Sequence, residues 1–306
     1  MPIMMVDKLL HILLLLLLPP LLLGVINRTK AAFAGRQGAP LLQPYYELAK
    51  LLRKDSVYSS TTTWIFRAGP VVTLAATLLA AMLMPLGGHP ALISFQGDMI
   101  LFAYLFGLAR FFTTSAALDT GSAFEGMGAA REVTFACLVE PTLFFILITL
   151  ARMSKSLSLT PMLTYPSPAV WVSAGASMLL LVGALFIALL AENCRIPFDD
   201  PNTHLELTMI HEVMVLDHSG PAFGLILYGA ALKLFVLGAV FVNLALPFKS
   251  GNLLIDWVAF VAAMLFLAVL IGVVESVMAR LRMVRIPQLL VAATILSAFA
   301  MLLIVR

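Results

Sequence analysis

Eight long apolar stretches dominate the chain: Leu9–Ile26, Gly69–Leu86, Met99–Leu118, Val133–Ala151, Pro168–Ala191, Ala222–Phe248, Leu253–Val274 and Ile286–Val305. Each approaches or exceeds the roughly 20 residues that a helix needs to cross a hydrocarbon core about 30 Å thick. Lipid offers no hydrogen-bond partner to a backbone amide, so each stretch must satisfy its own N–H and C=O groups as a helix. The pattern predicts an all-α polytopic membrane protein with about eight transmembrane helices, forming a single transmembrane domain over residues 1–306. Before the first stretch stands Lys8, an arrangement that superficially resembles a signal peptide. No small-residue cleavage site follows, and Arg28 and Lys30 come directly after the run, so we read it as a retained span, kinked or interrupted at Pro19–Pro20.

Composition agrees with this picture. Of the 306 residues 61% are hydrophobic and only 11% charged, with a mean hydropathy of +1.03. A soluble domain carries about 25% charged residues. The chain therefore lacks the polar surface of a soluble enzyme, a disordered regulator or a nucleic-acid binder. Net charge is only +3, and the placement of the charges says more. Connections one, three, five and seven hold twelve basic residues (Arg28, Lys30, Arg36, Lys50, Arg53, Lys54, Arg67, Arg131, Arg195, Arg280, Arg282 and Arg285). The other side holds five: Lys8, Arg152, Lys155, Lys249 and Arg306. The positive-inside rule then predicts cytoplasmic odd connections and both termini outside, in a multi-pass protein of the cell (inner) membrane.

Two cytoplasmic loops are long, at about 42 residues after span 1 and about 30 after span 5. Loops of this length are usually functional. The first has a net charge of +5 and the second of −5. Opposite fields on one face suggest that the loops meet each other or a docked partner. A basic collar for anionic lipid is the plainer reading of the first loop. The two cysteines, Cys137 and Cys194, form no Cys-x-x-Cys pair, so they supply no iron–sulfur or zinc ligand set, and no disulfide is expected between them.

Arg110, Glu140 and Lys233 lie within spans. At mid-bilayer each would cost about 2.5–3.5 kcal/mol on insertion scales, so each should face the bundle interior and find a partner. Glu132 and Glu140 are two helical turns apart and share a face, with Arg131 placed to neutralise one of them. Glu192 ends the fifth span, Arg195 follows one turn later, and Glu275 ends the seventh. Such a row of titratable groups from the cytoplasmic rim into the bundle suits proton relay or charge coupling. Static ion pairs that fix helix register would use the same residues, and residue types alone leave both readings open. In the fifth connection Pro197 sets a sharp turn, and Thr203–Leu216 has the pattern of a short amphipathic helix. His204, His211 and His218 recur every seven residues. That spacing is too wide for neighbouring metal ligands on one helix, and a polar face toward a partner fits better. No nucleophile elbow, phosphate loop, haem pair or zinc motif is present, so no bond-making chemistry and no metal are expected in this chain.

At these residues a resemblance emerges. Ala191-Glu-Asn-Cys-Arg-Ile-Pro-Phe-Asp199 resembles the signature of subunit 1 (the H subunit) of respiratory complex I, and Gly35-Arg-Gln-Gly-Ala-Pro-Leu-Leu-Gln-Pro44 with Glu47-Leu-Ala-Lys-Leu-Leu52 resembles that family's first cytoplasmic loop. Leu118-Asp-Thr-Gly-Ser-Ala-Phe124, Gly128-Ala-Ala-Arg-Glu132, Leu138-Val-Glu-Pro141 and Glu275-Ser-Val-Met-Ala-Arg-Leu-Arg282 point to one branch. Together they are similar to the membrane-anchor subunit of group 4 membrane-bound nickel–iron hydrogenases, of the formate hydrogenlyase and hydrogenase-4 kind.

The resemblance implies a subunit without a redox centre of its own. It would anchor a peripheral iron–sulfur subunit and a hydrogenase-like large subunit, which hold iron–sulfur clusters and a nickel–iron site, and would join antiporter-like membrane subunits that move H⁺ or Na⁺. It implies a charge path through Glu132, Glu140, Glu192 and Asp199 with Arg131 and Arg195 as cations, to which the residues themselves add Arg110 and Lys233. Arg36, Gln43, Glu47 and Lys50 would belong to a docking surface or a quinone-like cavity. Where the family continues with alternating acids, this chain has Asn202, His204 and Glu206. One acid remains, and His204 supplies an imidazole able to carry protons near neutral pH. The competing readings are a quinone-chamber subunit of a respiratory NADH–quinone oxidoreductase, a self-sufficient transporter, and a scaffold without a coupling role.

Overall fold

A computed structural model describes residues 2–199, 210–247 and 250–305. The elements are all helical: α1 (Pro2–Phe33), α2 (Gln43–Leu52), α3 (Trp64–Met82), α4 (Asp98–Asp119), α5 (Ala123–Ser154), α6 (Leu159–Thr164), α7 (Pro168–Glu192), α8 (Gly220–Ala245), α9 (Leu253–Val277) and α10 (Ile286–Val305), with 3₁₀ turns at Glu212–Val215 and Met283–Arg285. Among the described residues eight helices are long and apolar enough to cross a membrane: α1, α3, α4, α5, α7, α8, α9, and α10 with its preceding turn. Successive crossings alternate in direction. The connections 34–63, 193–219 and 278–285 therefore share one end of the bundle, and 83–97 and 246–252 share the other.

The α8 helix is the most enclosed span. It packs on α1, α3, α7 and α9, while α10 covers α5 and α7. Leu232, Phe235, Val236 and Ala239 fill its centre and are buried against a core that continues into Leu185, Leu189, Met264 and Leu267.

Four features depart from the hydropathy pattern. First, α1 runs unbroken through Pro19–Pro20. Pro20 removes the N–H that would serve the Leu16 carbonyl, and Tyr228 Oη donates to that oxygen at 3.0 Å instead. Neighbouring helices relieve an interior proline in this way. Second, α5 begins ten residues before the apolar run, so Glu125, Arg131 and Glu132 are helical residues of the fourth span and Arg131 is not in a connection. Third, Arg28, Lys30 and Arg67, counted with the first loop, lie in α1 (the first two) and α3. Fourth, the described end of the helix expected over Thr203–Leu216 is a 3₁₀ turn, with Val213, Met214 and Val215 buried against α5.

Among the described residues the two long loops meet through neutral groups. Val57 N donates to Ser219 Oγ at 2.9 Å, Ser56 Oγ donates to the Ser219 carbonyl at 3.3 Å, and the His218 ring stacks on Phe66 at 3.9 Å. The α2 helix lies against α1 and α8. Gly24 makes this approach possible, since a Cβ there would stand 2.1 Å from the Leu41 carbonyl oxygen.

Candidate functional site

The spans converge on Arg110 of α4. Its Nη2 donates to both oxygens of Glu192 at 2.8 Å each, its Nη1 binds Glu140, and its Nε lies 3.8 Å from Glu132 Oε1. Lys233 Nζ of α8 closes the group 2.7 Å from Glu192 Oε2. Three carboxylates and two cations from α4, α5, α7 and α8 thus form one network. Glu192 and Arg110 are nearly enclosed, with 4% and 13% of their side chains exposed, whereas Glu140 is 45% exposed on the flank of the bundle. A forked guanidinium suits this hub, because it can hold several carboxylates at fixed geometry.

The network approaches the 193–219 connection through Cys194, whose thiol points at Glu132 Oε2 at 3.8 Å. Burial first, and then the charges of Glu132 and Asp199, push this thiol well above the ordinary cysteine range, so it stays protonated. Beyond it lies a second group. Glu275, with no exposed side-chain surface, pairs with Lys30 at 2.9 Å and Arg195 at 3.4 Å. Asp199 accepts from Arg280 Nη2 at 2.8 Å and from the backbone N–H groups of Ile210 and His211 at 2.8 and 3.4 Å. Burial lowers the basicity of His211, opposed by Glu132 and Asp199.

The structure therefore brings Arg110, Glu132, Glu140, Glu192 and Lys233 together and sets Arg195 and Asp199 in the adjoining rim. Arg110, reaching over from another helix, occupies the place beside Glu132 and Glu140 that sequence spacing gave to Arg131. The Arg131 guanidinium instead lies 3.1 Å from Met127 Sδ, one turn back on the same helix. His204 and Glu206 lie outside the described residues. Arg36, Glu47 and Lys50 are exposed, and Gln43 Nε2 donates to Glu47 Oε1 at 3.1 Å along α2. These four belong to the first connection and its helix α2, apart from the Arg110 network within the spans. Sequence reasoning missed two partners, Lys30 for Glu275 and Arg280 for Asp199. It also missed Glu125, whose buried carboxylate accepts from Asp217 N at 3.0 Å. Only folding brings these distant positions together, so no local spacing could have signalled them. No group of three or more metal-ligating side chains occurs among the described residues.

A family model described as NADH dehydrogenase matches residues 7–306. The chain belongs to this family, that of complex I subunit 1. It is 32% identical to formate hydrogenlyase subunit 4 of Escherichia coli (strain K12) over 283 residues, covering 90% of each chain. It is 33% identical to hydrogenase-4 component C of the same organism, covering 87% of this chain and 85% of that one. Identity to the H subunit of the NADH-quinone oxidoreductase of Syntrophotalea carbinolica (strain DSM 2380 / NBRC 103641 / GraBd1) is 28%, covering 79% and 74%. Its fold is that of a chain in the membrane-bound sulfane sulfur reductase, an archaeal respiratory membrane complex, with TM-score 0.82, 21% identity and coverage of 98% and 99%. This chain is accordingly a multi-pass membrane protein of the hydrogenase-4 and complex I-like class.

Proposed function

We propose that this chain anchors a peripheral iron–sulfur subunit and a hydrogenase-like large subunit to the cell inner membrane, with the connections 34–63 and 193–219 facing the cytoplasm. In this reading it couples their redox reaction to movement of H⁺ or Na⁺ through neighbouring antiporter-like subunits. The supporting observation is the Arg110 network, which gathers Glu132, Glu140 and Glu192 in the bundle. A charge change in the docked arm acts first on the rim pairs Arg195–Glu275 and Arg280–Asp199. It then alters proton affinity within the network, at about 1.36 kcal/mol of interaction per pKa unit.

Glu140 is the outward member. Its 45% exposure on a flank otherwise suited to lipid fits a lateral neighbour that takes the charge onward. The greater identity and coverage of the hydrogenlyase and hydrogenase-4 relatives favour this reading over the quinone-chamber alternative. Arg36, Gln43, Glu47 and Lys50 serve the docking surface, and any iron–sulfur or nickel–iron centre belongs to the partners.

The test is Glu140→Gln in the assembled complex reconstituted in liposomes. We expect redox turnover to continue while ion translocation is lost. Full translocation with intact assembly would show that the network is static.

A further inference from the structure

At the end of the bundle opposite the 193–219 connection, a second polar cluster joins three elements. Trp257 Nε1 of α9 donates to Asp7 Oδ1 of α1 at 2.9 Å. His89 Nδ1, from the connection 83–97, lies 3.1 Å from the same oxygen. With Nδ1 facing the Asp7 carboxylate, Nε2 is the His89 nitrogen that no described polar group occupies. The His89 ring lies flat on the Trp257 indole, with centroids 4.5 Å apart and planes 3° apart. His11 meets the same indole edge-on at 5.9 Å. His89 Nε2 and His11 Nε2 are both buried without a hydrogen-bond partner among the described residues.

The remaining ionisable groups here are Lys8, exposed beside Asp7, and Asp256 of α9, whose carboxylate is held by Ser250 N and Oγ at 2.8 Å each. A cavity of about 240 Å³, lined by Gly88, Asn243, Asp256 and Phe260 among others, lies at the same end of the bundle.

An indole face attracts a cation, and tryptophan does so best among the aromatic residues. A carboxylate at 3.1 Å adds a directional partner for the same imidazolium. We propose that Asp7, His11, His89 and Trp257 form a proton-binding site at this end of the bundle, in which His89 Nε2 takes up one proton and the Asp7 carboxylate and the Trp257 face hold the imidazolium. His11, placed near the same carboxylate, limits the site to one proton, since a second cation there meets the first. The assignment does not depend on the function proposed above, because proton binding here stands whether or not the bundle conducts.

The test uses the full chain in detergent with Trp64→Phe and Trp171→Phe, which leaves Trp257 as its only tryptophan. An imidazolium stacked on indole quenches its emission. Trp257 emission should fall on acidification and recover when the pH is restored. Histidine-selective ¹⁵N spectra should show an imidazole converting from neutral to cationic over the same step, its resonance assigned to His89 by comparison with His89→Gln. Both signals should vanish in His89→Gln and persist in His11→Gln. A flat response in the parent chain overturns the proposal without recourse to any variant, and so does a step that survives His89→Gln.

Discussion

Arg110 illustrates how much one side chain decides. Removing it takes from Glu132, Glu140 and Glu192 the guanidinium they share, and breaking a buried ion pair from one side costs about 3–5 kcal/mol. Arg110→Ala should therefore lower the thermal stability of the purified complex by that order and reduce assembled subunit in membranes. Arg110→Lys should recover part of the loss, because it keeps the charge but not the fork. Stability unchanged in Arg110→Ala would mean that the three carboxylates do not depend on it. The presence of Arg110, Glu140 and Lys233 inside apolar runs was legible from composition, since a charge surrounded by lipid-soluble residues demands a partner. The pairing was not. Arg131 is one residue from Glu132 and so points elsewhere on the helix, whereas Arg110 comes from the neighbouring α4. Helical periodicity describes the face a residue shares with its own helix and carries no information about which other helix will cover that face.

Among the elements, α1 and α5 show the same limit. Two adjacent prolines predict a break, yet α1 stays continuous because Tyr228 supplies the hydrogen bond that Pro20 removes. Tyr228→Phe should cost about 1 kcal/mol, the usual net worth of one hydrogen bond, seen as a lowered unfolding midpoint, with faster amide exchange confined to residues around 16–20. Gly24→Ala sets a Cβ against the Leu41 carbonyl oxygen. Overpacking of this kind costs about 1–3 kcal/mol, and α2 should detach first, with protease cleavage appearing between residues 34 and 42 before any in the spans. Cleavage that remains as slow as in the parent chain would show that this contact does not hold α2. The early start of α5 has a different cause. Hydropathy ends a span at the first cluster of charges, whereas Glu125 and Glu132 continue the helix because other elements receive them, and the Arg131 guanidinium lies along the same helix against Met127.

Across the whole molecule, the loop contacts set a pH dependence. Burial against Phe66 depresses His218 from 6.5 to about 4. The unfolded chain therefore binds the proton first, and stability from this residue is fully present above about 6.5 and is lost as pH falls toward 4. The unfolding midpoint should drop over that window, and His218→Phe, which keeps the stack without the titrating ring, should flatten the drop. An equal drop in His218→Phe would assign the effect to other groups. Sequence alone determined that the chain spans a membrane about eight times, that the two ends of its bundle carry unequal connections, and that certain charges must be buried. Length and hydropathy are local properties, and lipid permits little else than helices. Tertiary structure alone decided that Glu132, Glu140 and Glu192 share one guanidinium, that Lys30 and Arg280 reach Glu275 and Asp199, and that Asp7, His89 and Trp257 converge. Those pairings join residues from as few as 22 to as many as 250 positions apart, and their register is set by helix packing, which no periodicity within one segment encodes.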